Sequence, residues 1–84
     1  MYISIEQMDK ALNLGFKVTQ CPDKGTIATR ANFRIWDVRE GYMTAYLSDG
    51  MYQDHKKYDS FEGAINRTIE EIRYIDKLLG VNKP

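Results

Sequence analysis

The chain is poor in the residues that small proteins use to fasten themselves together or to carry out reactions. Cys21 is its single cysteine and His55 its single histidine. One cysteine excludes an internal disulfide, which argues against a stapled secreted scaffold and for a cytoplasmic setting. One histidine beside one cysteine leaves too few ligands for a zinc site, so neither a metal nor another cofactor is expected. Charge of one sign is also missing, because twelve basic residues cancel twelve acidic ones. A neutral molecule has no long-range field with which to draw in nucleic acid or an anionic membrane. No apolar run approaches the roughly 20 residues of a membrane span, and the opening Met1-Tyr2-Ile3-Ser4-Ile5-Glu6 lacks the basic start and apolar stretch of a signal peptide. No glycine-rich phosphate loop, G-x-S-x-G elbow or H-E-x-x-H pair occurs, and nothing in the spacing joins Cys21 to His55 as nucleophile and base. The expectation is a protein that is not an enzyme.

What is present suffices for one folded unit. With 84 residues and 43% hydrophobic content, residues 1–84 form a single domain with one small core. The strongest periodic segment runs from Phe61 to Gly80. Apolar residues at 61, 65, 68/69, 72, 75 and 79 make one stripe of a helix, with Asp59 or Ser60 as its cap and Gly80 as its stop. Arg67/Glu71 and Glu70/Arg73 are spaced to pair along its exposed side. Near the other end, Ser4-Ile5-Glu6-Gln7 matches a capping box, Ile3 and Met8 stand at the staple positions, and Gly15 is placed to end a helix that begins at Ile5. Ile5, Met8, Ala11 and Leu12 are expected to be its buried stripe. Met1-Tyr2 and Val81–Pro84 read as loose ends.

Between the helices the pattern changes to alternation. Phe16 to Cys21 reads as a half-buried strand, and Pro22-Asp23-Lys24-Gly25 as a turn. Thr26 to Arg39 is long for one strand, so a bulge, bend or break is expected at Arg30-Ala31-Asn32. A two-residue turn at Glu40-Gly41 would set Val38 opposite Met43 and Trp36 opposite Ala45. One face would then carry Trp36, Val38, Met43, Ala45 and Leu47, which reads as the core side. The other would carry Phe33, Ile35, Asp37, Arg39, Tyr42, Thr44, Tyr46 and Ser48. A simple loop at 22–25 would put Phe16 and Val18 with Phe33 and Ile35, so this scheme needs the break to restore parity. Met51 to Lys57 is a short edge strand or a loop. The expected architecture is α+β, ordered α-β-β-β-α, with a three-stranded antiparallel sheet backed on one face by two helices.

Two surfaces follow from that scheme. Phe33, Ile35, Arg39, Tyr42, Thr44 and Tyr46 would form an aromatic and aliphatic patch on the open sheet face, of a composition that suits a protein partner or a second copy in a homodimer. The second surface, an alternative suited to nucleic acid, joins Arg30 and Arg34 to His55, Lys56 and Lys57.

Two resemblances bear on these surfaces. The element order and the lysine pair ahead of the last helix look like double-stranded RNA-binding domains, whose K-K-x-A-K segment meets phosphates at that helix start. Here Lys56 and Lys57 precede the cap, and Pro22-Asp23-Lys24-Gly25 stands where that family has Gly-Pro-x-His. The segment Tyr58-Asp59-Ser60-Phe61-Glu62-Gly63-Ala64-Ile65-Asn66-Arg67 resembles the helix opening of small phage and mobile-element accessory proteins, among them anti-CRISPR inhibitors. That resemblance implies a short, non-enzymatic protein that occupies a host protein's surface.

Overall fold

The computed structural model describes residues 3–23 and 25–80. The expected loose ends, Met1-Tyr2 and Val81–Pro84, and Lys24 of the first turn lie outside the described residues. Helix α1 spans Ile5–Asn13, five strands follow as β1 (Lys17–Cys21), β2 (Gly25–Arg30), β3 (Phe33–Val38), β4 (Gly41–Ser48) and β5 (Met51–Tyr58), and helix α2 spans Phe61–Leu79. The strands form one antiparallel meander in chain order. The α+β class with two helices and an antiparallel sheet is as expected, but the sheet has five strands instead of three.

Both helix starts are written in local chemistry. Ser4 Oγ accepts the Gln7 N–H at 3.1 Å and Gln7 Oε1 accepts the Ser4 N–H at 2.9 Å, closing the capping box. Helix α1 ends in a Schellman motif: the Gly15 N–H donates to the Leu12 carbonyl and the Phe16 N–H to the Ala11 carbonyl, each at 3.0 Å. That geometry needs the positive φ of 89° at Gly15, and Arg30 Nη1 adds a bond of 2.7 Å to the Leu14 carbonyl. For α2 the cap is Ser60, whose Oγ accepts the Gly63 N–H at 3.0 Å. The α1 stripe differs from expectation. Ala11 is fully buried and Met8 packs against the core, but Ile5 is 79% and Leu12 48% exposed, because α1 packs mainly on the edge strand β1 and on α2. The α2 stripe is buried from Phe61 to Ile72 and runs out into solvent at Leu79.

The extra strands come from two-residue turns. Arg30 pairs with Phe33, so Ala31-Asn32 is a full reversal that divides the long segment into β2 and β3. The expected break is thus a tight turn, which also changes parity because it sets Ala28 opposite Ile35, and Ala31 carries a positive φ of 53° there. Arg39-Glu40 makes the next reversal, with Val38 opposite Gly41 and Trp36 opposite Met43. The register is displaced by two residues from the expected one, which changes every partner but leaves each side chain on its expected face. Asp49-Gly50, with φ of 53° and 77°, closes the last hairpin in the type I′ manner. An irregularity sits in β5. Thr44 pairs with Lys56 and Tyr46 with Gln53, so Asp54 and His55 together oppose Ala45 in a bulge, with Asp54 at a φ of 56°.

The faces are exchanged relative to expectation. Val18, Ala28, Ile35 and Thr44 form one cross-strand row and lie beneath the helices, with Phe33 and Tyr42 on the same side. Ile35, Ala28, Ala11 and Ala64 are fully buried, and Phe61, Ile65 and Ile69 of α2 complete the core. The three alanines leave room for helix backbone to approach the sheet. The face of Trp36, Val38, Met43 and Leu47 points away from the helices. A physical reason is visible in the full rows: Lys17 is in register with Thr29, Thr29 with Arg34, and Met43 with Lys57, so that face carries three cations that a small core could not hold unpaired.

Candidate interaction surface

The open face of the sheet is built around Trp36 on the central strand. Strand alternation projects Arg34 and Trp36 from β3 to the same side, and the β5 bulge returns both Tyr52 and His55 to that side. The Trp36 ring lies 6.3 Å from Tyr52 and meets His55 edge-on at 5.8 Å, centroid to centroid. The Arg34 guanidinium carbon stands 5.4 Å from the Trp36 centroid and 5.5 Å from that of Tyr52, held between two π faces. Its Nε is buried and finds no hydrogen-bond acceptor among the described residues. Ile27 and Met43 flank Trp36 in register, and Leu47 pairs with Tyr52. Lys57 and Lys17 stand at the two edges of this floor.

The patch assembled from the sequence does not exist as a surface. Phe33, Ile35, Tyr42 and Thr44 are buried under the helices, Tyr46 is half-buried with its ring 5.0 Å from Phe33, and only Arg39, in the β3–β4 turn, is exposed. Tyr42 packs edge-on against Phe61 at 5.3 Å. Burial pushes its phenol pKa above the ordinary value, and the nearby Asp37 carboxylate pushes it the same way. The basic set is divided. Arg30 caps α1, and Lys56 lies on the helix side with its ammonium 3.3 Å from Glu71, whereas Arg34, His55 and Lys57 meet on the open face. Trp36, Tyr52, Met43 and Leu47 complete the candidate surface and were not among the expected contact residues.

Among the described residues the single cysteine and single histidine do not converge. Cys21 and His55 belong to opposite edge strands of a five-stranded sheet, about 19 Å apart at the usual strand spacing. Among the described residues no group of three or more His, Cys, Asp or Glu is placed to hold a metal ion, and no helix is long and apolar enough to cross a membrane. An open cleft of about 170 Å³ lies between Phe33, Tyr46, Ile72, Ile75 and Leu79, and it is lined mainly by apolar groups. Compared with protein-family models, with curated proteins and with solved structures, the chain matches none. The fold and the surface describe a small α+β domain in which two helices cover one face of a five-stranded meander and an aromatic, cationic face is left open.

Proposed function

We propose that this chain is a non-enzymatic protein-interaction module whose working surface is the open face of the sheet, acting in the cytoplasm as an inhibitor or accessory factor of the phage type. The observation that carries this reading is the Arg34–Trp36–Tyr52–His55 cluster. Trp, Tyr and Arg dominate the energetics of protein interfaces, and here they are held side by side on rigid strands with Met43 and Leu47 around them. A partner occupying the face would bury rings whose positions are fixed in advance, so little side-chain ordering opposes binding. The test is capture from a bacterial lysate with the wild type, with a Trp36→Ala/Tyr52→Ser variant, and with a helix-side Tyr74→Ser control. Stoichiometric capture that survives in the control and disappears in the double variant, with native far-UV circular dichroism throughout, supports the reading. Capture unaffected by the double variant would sink it.

A second reading, nucleic-acid binding, is favoured by one observation: Arg34, His55 and Lys57 share a floor with two large aromatic rings. Filter binding to single- and double-stranded DNA and RNA at low salt measures it directly, and salt-sensitive retention with micromolar affinity or better would favour it over the first.

A further inference from the structure

From the charge carried by the open face we infer that its occupant is a protein surface that presents carboxylates among apolar side chains. The inference rests on the reading of that face as the working surface and names its partner's chemistry. The molecule's neutrality conceals a separation. The two helices carry six acidic residues, Glu6, Asp9, Glu62, Glu70, Glu71 and Asp76, against four basic ones, Lys10, Arg67, Arg73 and Lys77, a net excess of two negative charges. The open face carries Lys17, Arg34 and Lys57, with Asp54 in the bulge at its rim. A second copy bound face to face would set these cations against themselves, so charge complementarity points to an anionic partner. The Arg34 guanidinium is positioned for such a partner. Its Nε is already desolvated without an acceptor, and two rings fix its plane. A carboxylate meeting the remaining donors of the fork forms charge-assisted bonds without first ordering the side chain.

Protein is favoured over nucleic acid by the same geometry. One face of the Trp36 ring is taken by Arg34 and its edge region by His55, which restricts base stacking, while the floor of Ile27, Met43 and Leu47 suits aliphatic contacts. Three cations also neutralise few phosphates.

The experiment is a two-dimensional NMR titration of the full chain with a short capped peptide alternating Glu with Leu, with its Gln-for-Glu twin, and with oligothymidylate, all at physiological salt. The expected result is movement of the Trp36 indole and Arg34 Nε signals by the Glu peptide, with the Gln twin bound roughly ten-fold more weakly. Arg34→Gln, or the exposed alternative Lys57→Gln should Arg34→Gln fail to fold, should narrow that difference. Equal binding of the two peptides would overturn the carboxylate assignment and leave the open face as working surface. Tighter binding of oligothymidylate would overturn it in favour of nucleic acid, and concentration-dependent shifts without ligand in favour of a second copy. Absence of any shift at the face with either peptide would overturn it as well, while the lysate capture decides separately whether the face works at all.

Discussion

Neighbouring residues on β3 provide the sharpest test of which sheet face is the core. Ile35 is fully buried, with Ala28 and Thr44 beside it in register and the α2 residues Phe61 and Ile65 in the same core. Ile35→Ala would leave a void that the sheet cannot close, because the flanking side chains are small and the strand backbone is tied on both sides. Core truncations of this kind cost about 2–5 kcal/mol, and the rigid surroundings place this one at about 4. A domain of this length is stable by only about 4–13 kcal/mol. The midpoint of thermal unfolding should therefore fall by roughly 15–30 °C. Trp36→Ala removes a larger side chain from the open face and loses ring contacts and one cation–π partner, about 1–2 kcal/mol in all. The assay is urea unfolding followed by far-UV circular dichroism, since Trp36 is the only tryptophan and fluorescence disappears with it. A larger loss for Trp36→Ala than for Ile35→Ala would refute the assignment of faces.

Two further outcomes test local features. A Cβ at Gly25 would lie 2.9 Å from both Cβ and Cγ of Asp37, at a φ of 73° that side chains rarely adopt, so Gly25→Ala should displace the carboxylate that accepts the Thr26 N–H at 3.2 Å. The left-handed backbone and the disturbed bond together should cost about 2–4 kcal/mol, and a loss below about 1 kcal/mol in the same urea assay would contradict the close approach. The second concerns Tyr42. Its folded phenol pKa lies above the ordinary value, so the neutral ring favours the folded state, a contribution present in full below pH about 10 and lost as pH rises through the folded pKa. Stability measured across that alkaline range should decline less steeply in Tyr42→Phe, and equal slopes would remove the argument.

Much of the fold was legible because its signals are local. The Ser4 box, the Gly15 stop, the Ser60 region and the α2 stripe each depend on residues within one or two helical turns, and each lies where the sequence placed it. The side-chain faces of β3 and β4 were also legible, since alternation survives a two-residue error in register. Choosing the buried face was not, for a reason that lies in one residue. Judging the Trp36, Val38, Met43, Ala45 and Leu47 face as uniformly apolar left out Arg34, which the same alternation places two positions before Trp36. Counting Arg34, with Lys17 and Lys57 in the adjoining rows, would have marked that face as open and removed the need for a parity break. Val18 does share the face of Ile35, as a simple loop at 22–25 implies, but by another route: Cys21 pairs with Gly25 instead of Thr26, and the reversal at Ala31-Asn32 changes the parity a second time. The candidate surface was legible only in part: Arg34, His55 and Lys57 stand out in the sequence as nucleic-acid-binding candidates, but their union with Trp36 and Tyr52 depends on pairings between separate hairpins that no local pattern encodes.

The β5 bulge gives that surface an unusual mutational grammar. Because Asp54 is a supernumerary residue in the ladder, the two ends of β5 obey opposite alternations: Lys57 and His55 face outward on one count, and Tyr52 on the other. Removing one residue at position 54 would leave His55 alone opposite Ala45 and restore a regular ladder, with Tyr52 still outward opposite Leu47 and Gln53 still opposite Tyr46, so what changes is the local bend and twist of the strand. The buried rows of β1, β2 and β3 would be untouched. In this protein the extra residue sets the curvature on which the aromatic cluster sits, and a single-codon deletion there would reshape the binding face by flattening it while the identity of its side chains and the core are inherited unchanged.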